Sequence, residues 1–441
     1  MSSKRNAPQA KDAGSQWIAG GADRGRKPSC PINRERLWTS IMEMAQFGGL
    51  LGGGCARLAL SDEDRAARSL FVRWCREANC TIRIDPFGNI FAIRSGRDPA
   101  HPVVLVGSHL DTQPHGGRFD GVYGVMAGLE VVRAMNDAGI ETDASIVVVN
   151  WTNEEGVRFA PGLTGSSAFA GLLGHDEARN IVSQDGLRFA DELSRIGFDG
   201  EMPHGSMRIV AYLEPHIEQG PVLENIGKPI GIVTGVQGVR WFNVGVQGAD
   251  QHAGTTPMNA RHDSFMAASR LVLRMRKFAL NVSPDIRFTV GRIEVRPGSP
   301  NTVPGSTKFV LDLRHQDEHV LDKVAAELCR QASDIGHEER VKIDVSLSMK
   351  VKSVVFDRRI IELLSREAFE LDMPCEHMIS GAMHDASNIA RLAPTAMLFV
   401  PCRNGISHAE QEWAEPEHLA AGCQVIAEAA VKLAEGRSFT P

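Results

Sequence analysis

Nowhere does this chain bring two cysteines into a Cys-x-x-Cys pair, and nowhere does it string about 18 apolar residues together. The first absence excludes a zinc ribbon and a thioredoxin-type redox motif. The second leaves no membrane span to expect. Basic charge is also short: 48 Lys and Arg against 54 Asp and Glu give a formal net charge of −6, so nothing here makes a general electrostatic footprint for nucleic acid. The glycines between Gly48 and Gly54 follow no strand and are not closed by Gly-Lys-Ser/Thr, which rules out a phosphate loop. No Gly-x-Ser-x-Gly elbow supports a serine hydrolase. The first 30 residues carry Lys4, Arg5, Lys11, Arg24, Arg26 and Lys27 but lack the apolar stretch of a secretory signal, and are read as a disordered extension. The eight cysteines read as reduced, mostly buried thiols, and the compartment expected is the cytoplasm.

What remains is a chain of 441 residues, 43% hydrophobic, long enough for two or three structural units with a real core. Leu37, Ile41, Met44 and Ala45 have helical spacing, and Ser61 opens a second helix as an N-cap followed by Asp62, Glu63 and Asp64. A hairpin is expected over 80–94. Val103-Val104-Leu105-Val106 and Ile146-Val147-Val148-Val149 are fully apolar runs, read as buried strands, with a helix over 122–138 between them. Strand, helix, strand is the signature of an α/β domain. From about Gly235 the rhythm changes to strand 238–248, helix 261–279, strand 286–296, strand 305–314, helix 318–335 and strand 340–350. That order is β-α-β-β-α-β, the ferredoxin-like arrangement. Segment 351–441 returns to α/β style, with helix 357–371, strand 395–400 and helix 416–434. The organisation expected is therefore an extension over 1–30, a first part of an α/β domain over 31–234, an inserted α+β domain over 235–350 and a second part over 351–441.

In open α/β sheets, chemistry collects beyond the carboxyl ends of the strands. Histidines packed with acids and glycines fall there: Ser108-His109-Leu110-Asp111-Thr112, Gly116 to Gly121 around Asp120, Asn153-Glu154-Glu155-Gly156, Pro215-His216-Ile217-Glu218-Gln219-Gly220 and Ser407-His408-Ala409-Glu410. A hydrolytic two-metal site needs imidazole and carboxylate ligands, one carboxylate able to bridge, and a base beside the attacking water. Each fragment alone is weak; five on one framework are not. A thiol nucleophile at Cys402, near His408, would leave the carboxylates unexplained.

These motifs carry a resemblance. Gly107-Ser-His-Leu-Asp-Thr112, Gly116-Gly-Arg-Phe-Asp-Gly121, Asn153-Glu-Glu-Gly156 and His216-Ile-Glu-Gln-Gly220, with Gln251-His-Ala-Gly-Thr-Thr-Pro-Met258, Pro300-Asn-Thr-Val-Pro304, Leu311-Asp-Leu-Arg-His315, Ser380-Gly-Ala-Met-His-Asp385 and Gly405-Ile-Ser-His408, resemble the hydantoinase/carbamoylase family of metal-dependent amidohydrolases, relatives of the di-zinc aminoacylase and carboxypeptidase-like peptidases. The resemblance implies an aminopeptidase-like catalytic domain with an inserted lid and dimerisation domain, and two divalent ions per subunit (zinc, or manganese, cobalt or nickel). It implies His109 and His216 on one metal, Glu155 and His408 on the other, Asp120 bridging, Glu154 as general base and Asp111 orienting His109. It also implies substrate contacts from Gln219, His252, Asn301 and Arg314, with Gly381, Ala382 and His384 lining the pocket. Plainer alternatives stand beside the last group: a turn role for Asn301, an ion pair of Arg314 with Asp312 or Asp317, a structural amide at Gln219, and His384 with Asp385 as a packed pair. The activity implied is hydrolysis of an N-carbamoyl amino acid by a homodimer, with allantoate or ureidoglycolate as the alternative substrate. A catalytically silent binding protein is disfavoured, because the base and all five ligands are present.

Overall fold

The computed structural model describes residues 26–98, 100–203 and 205–436. Its strands are β1 (Thr81–Ile84), β2 (Ile90–Arg94), β3 (Val103–His109), β4 (Ile146–Trp151), β5 (Ile209–Ile217), β6 (Ile230–Val236), β7 (Gly238–Gln247), β8 (Gln251–His252), β9 (Arg287–Arg296), β10 (Thr302–Val303), β11 (Ser306–His315), β12 (Lys342–Val351), β13 (Val354–Val355), β14 (Cys375–Ser380) and β15 (Thr395–Val400). Its helices are α1 (Arg34–Met44), α2 (Asp62–Glu77), α3 (Val122–Asp137), α4 (Thr164–Phe169), α5 (His175–Arg179), α6 (Phe189–Ile196), α7 (Val222–Ile226), α8 (Ser264–Val282), α9 (Glu318–Glu339), α10 (Arg358–Glu370), α11 (Asp385–Ile389) and α12 (Pro416–Ala434). Two compact units emerge. One holds the described residues up to Thr234, Phe356–Met378 and the chain from His384 on; the other holds Gly235–Val355 with Ile379–Met383.

The large sheet runs β1-β2-β4-β3-β5-β15-β6-β13, with β14 also on β6. Its middle, β4-β3-β5-β15, is parallel throughout. Parallel strands are covered on both faces, and β4 and β15 are accordingly buried at every residue. Helices α1, α3, α10 and α12 pack on one another, while α11 packs on α4, β5 and β15. Strand β5 is absent from the sequence reading because Glu214 and Pro215 interrupt its apolar run. Both are accommodated: Glu214 accepts from Ser108 Oγ and the Ala386 N–H, each at 2.7 Å, and Pro215 lies beyond Leu213, where pairing with β3 stops. A proline costs no ladder hydrogen bond there.

The expected N-terminal extension needs correcting at its inner end. Residues 1–25 lie outside the described residues, but Arg26 to Cys30 are tied down. The Arg26 N–H donates to the Glu370 carbonyl at 2.7 Å, its guanidinium pairs with the fully buried Glu367 and Glu428 at 3.1 and 2.6 Å, and the Cys30 N–H donates to Glu428 at 2.9 Å.

In the second unit β12-β7-β11-β9 form an antiparallel sheet. The outer strands flank the first and third in the order expected of a β-α-β-β-α-β chain. Helices α8 and α9 pack together and against this sheet, burying Leu271, Met275, Leu321, Val324 and Leu328 with Phe242, Val244 and Leu311.

Candidate dinuclear metal centre

Three of the four parallel strands end at the site. His109 is the last residue of β3, in register with Trp151 at the end of β4, so Glu154 and Glu155 follow in the turn that leaves β4. His216 lies next to last in β5, in register with Phe399. Strands β4 and β5 flank β3 on opposite sides, and such a switch point opens a crevice at the carboxyl ends. His408 comes from the loop after β15.

Two groups of ligand atoms form there. One comprises His109, Asp120 and His216, the other Asp120, Glu155 and His408; within each, the ligand atoms lie within 4.8 Å of one another. Asp120 is common to both. Its Oδ1 is 4.0 Å from His109 Nε2 and 3.2 Å from His216 Nε2, while its Oδ2 is 3.1 Å from His408 Nε2. Glu155 Oε2 is 3.6 Å from His408 Nε2, and Glu154 Oε2 is 3.6 Å from His109 Nε2.

The two buried imidazoles are oriented by main chain. His109 Nδ1 meets the Asp111 carbonyl at 2.8 Å and His216 Nδ1 meets the Ile217 carbonyl at 2.9 Å. A carbonyl only accepts, so Nδ1 carries the proton and Nε2 faces the site. Asp111 thus meets the His109 ring nitrogen through its backbone carbonyl. The carboxylate instead accepts the Glu154 and Glu155 N–H groups, both at 3.2 Å, and so shapes the turn that carries those two acids. Gly121 has φ +67°, and a Cβ there would lie 2.4 Å from the His109 ring; only glycine lets the two approach. Asn153, Gln219 and His408 hold φ of +57°, +57° and +54°, non-glycine residues in the left-handed region beside the site.

Charge explains why cations suit this array. Burial pushes the Glu154 carboxyl well above its ordinary value, with Asp385, Glu155 and Asp120 adding to it. Burial and then Asp120 push Glu155 up to about 8, and burial pushes Asp111 up to about 7. Burial also resists ionisation of Asp120, but hydrogen bonds from His216 and His408 hold its carboxyl well below the usual range. Glu155 Oε1 and Gln219 Oε1 are buried with no hydrogen-bond partner among the described residues. Crowded acids, inward-facing imidazole nitrogens and an unpartnered carboxylate oxygen fit divalent cations.

The remaining expected contacts are distributed as follows. Gln219 Nε2 donates to Asp120 Oδ2 at 3.1 Å and lies 3.4 Å from His408 Nε2. His384 is 2% exposed and packs edge-on against the His216 ring, centroids 4.5 Å apart. In the second unit, β8 pairs with β10 so that His252 faces Thr302, and the Asn301 carbonyl accepts the Ala253 N–H at 2.9 Å. Arg314 makes a two-point contact with Asp312 at 3.2 and 2.9 Å and donates to the Gly381 carbonyl at 3.2 Å. Ala382 lies beside Gly381, its N–H donating to Ser380 Oγ at 3.1 Å.

Sequence reasoning missed two supports. Glu412 Oε1 accepts the N–H groups of Phe119 and Asp120 at 2.9 and 3.1 Å, and its Oε2 accepts from Ser407 Oγ at 2.8 Å. The neighbouring Glu410, in the fragment singled out above, instead pairs with His115 at the surface. Gln113 Nε2 donates to Glu155 Oε2 at 2.6 Å. These are lone polar residues in loops, where no periodic signal marks them.

Comparison with known proteins agrees with this geometry. The model of Peptidase family M20/M25/M40 matches residues 105–432. An N-carbamoyl-L-amino-acid amidohydrolase of Rhizobium meliloti is 41% identical over 404 residues, covering 92% of this chain and 97% of that protein. An allantoate amidohydrolase of Bacillus subtilis is 32% identical over 393 residues, covering 89% and 95%. A solved amidase of the hydantoinase/carbamoylase family from Burkholderia multivorans is 44% identical with TM-score 0.90, covering 92% of this chain and 99% of that one. The chain is an amide-cleaving hydrolase belonging to peptidase family M20/M25/M40, in its hydantoinase/carbamoylase branch.

Proposed function

We propose that this chain hydrolyses an N-carbamoyl amino acid, R–NH–CO–NH2 + H2O giving R–NH2, CO2 and NH3. The observation that carries the reading is a pair of cation-sized ligand groups sharing Asp120, with Glu154 at their edge, in a chain 41% identical to an N-carbamoyl-L-amino-acid amidohydrolase. His109, Asp120 and His216 hold one ion; Asp120, Glu155 and His408 hold the other. Bound there, divalent cations acidify water and polarise the carbonyl under attack. Glu154 takes the proton from the attacking water and returns it to the leaving nitrogen, a task suited to a carboxyl whose pKa burial has raised. Gln219, His252, Asn301 and Arg314 grip the substrate, Arg314 through a planar contact with its carboxylate, and Gly381, Ala382 and His384 shape the pocket. Zinc, manganese, cobalt and nickel all suit imidazole and carboxylate donors.

The molecule works as a homodimer through its second unit. Two ten-residue strands, β9 and β12, edge that sheet, and Ile293 and Leu347 expose 54% and 50% of their surface, which long open strands rarely do without a partner. Its eight cysteines are all free thiols, which supports a cytoplasmic setting; among the described residues no helix is long and apolar enough to cross a membrane.

The test is ammonia release after metal reconstitution, with N-carbamoyl-L- and D-amino acids, N-carbamoyl-β-alanine, allantoate and an N-acetyl amino acid. A carbamoyl substrate turned over, silenced by a chelator and by Glu154→Gln, is the expected result. Preference for allantoate, the substrate in the name of the B. subtilis relative, would move the chain to the alternative substrate. Turnover of none would overturn the substrate class.

A further inference from the structure

We propose that Gln113 is a positioning residue for the second cation: its side-chain amide fixes the Glu155 carboxylate, and the loop that carries it ties the two ion positions together. The proposal rests on the two-cation reading above.

Gln113 Nε2 donates to Glu155 Oε2 at 2.6 Å, and that oxygen is the one 3.6 Å from His408 Nε2. The other oxygen, Oε1, is buried and has no hydrogen-bond partner among the described residues. One oxygen is therefore held by an N–H that can only donate, which fixes the rotation of the carboxylate and leaves Oε1 available to a ligand. The backbone of Glu155 is held as well, through its N–H to Asp111 Oδ2 at 3.2 Å. Both grips come from the five residues that begin with His109. Gln113 itself sits on a fixed platform: its carbonyl accepts the Gly116 N–H at 3.2 Å and Thr112 Oγ1 at 3.0 Å, and the Thr112 N–H donates to the Arg57 carbonyl at 2.9 Å. One short loop thus supplies a ligand of the first group and sets the geometry of a ligand of the second. Groups that orient a metal ligand in this way govern affinity by roughly 10–100-fold.

Gln113→Leu keeps the size of the side chain and removes the donor. The experiment titrates Mn2+ into chelator-treated, dialysed protein by calorimetry, with thermal unfolding of the cation-free form alongside. The wild type is expected to bind two ions. In Gln113→Leu one class should weaken by roughly 10–100-fold while the other stays within about twofold. The cation-free melting temperature should stay unchanged, and ammonia release should recover at saturating Mn2+. Two classes at wild-type affinity would overturn the proposal. So would equal weakening of both classes with a lowered melting temperature, which would make Gln113 a purely structural residue. A wild type that binds a single ion fails before any variant is made, and that result overturns the two-cation reading together with the proposal.

Discussion

At the scale of single residues, the site depends on close approach more than on unusual chemistry. Gly121 is the sharpest case, because φ +67° and the His109 ring leave no room for a methyl group. Gly121→Ala should cost about 1–3 kcal/mol through overpacking and reduce the bound metal, measured by urea unfolding and elemental analysis. Arg314 makes the converse prediction. Its guanidinium is held ready by Asp312, so Arg314→Met should raise KM for a carboxylate substrate at least tenfold and leave metal content at the wild-type level. The five proposed ligands were readable as candidates because they cluster with glycines at strand ends. Glu412 and Gln113 were not, since each acts through one or two hydrogen bonds that only the folded loop creates. Asp111 was legible as the partner of His109 but not in the atom that meets it: proximity along the chain does not say whether a side chain or a carbonyl reaches the ring.

Elements place these residues, and some elements are anchored by buried charge. Arg68 of α2 pairs with Asp64 at 2.8 Å, both side chains 0% exposed, and reaches the Gly88 carbonyl at 2.7 Å and Thr152 Oγ1 at 3.2 Å. The helix is thereby fastened to the hairpin β1–β2 and to the turn before Glu154. Removing one member of a buried pair leaves the other uncompensated, so Arg68→Met should destabilise by about 3–5 kcal/mol, with part recovered in Asp64→Leu/Arg68→Met. Urea midpoints of the two variants check this. Uniformly apolar strands such as β3 and β4 were visible in the sequence because burial on both faces imposes that pattern. Strand β5 was invisible because tertiary partners neutralise Glu214 and the end of β3 pairing excuses Pro215, and neither fact is local.

For the whole molecule, cation removal is the informative perturbation. Without divalent ions, His216 and His408 are raised to about 9: hydrogen bonding to Asp120 lifts His408, and at His216 it overcomes the opposing effect of burial. Their contribution is fully present below about 6.5 and is lost as pH rises through 9. Glu155 at about 8, and Asp111 and Glu412 at about 7, all raised mainly by burial, stay protonated in the fold after they would ionise in the unfolded chain, so they also lower stability as pH rises. All five shifts share one sign between pH 6.5 and 9. The melting temperature of chelated protein should therefore fall across that interval, and added Mn2+ or Zn2+ should restore it most at the alkaline end. A flat profile would show that these groups do not titrate with folding.

Strand β15 lies between β5 and β6 in the large sheet, yet begins only at Thr395, after the whole of the second unit's continuous stretch Gly235–Val355. During synthesis the later-starting unit therefore has all four of its strands in hand while the earlier one still lacks a central strand. Until the last residues leave the ribosome, β5 and β6 each present an unpaired apolar edge, the kind of surface that draws strands from other chains. Maturation runs against chain order, and a transcript truncated before Thr395 should yield aggregates rather than a smaller enzyme.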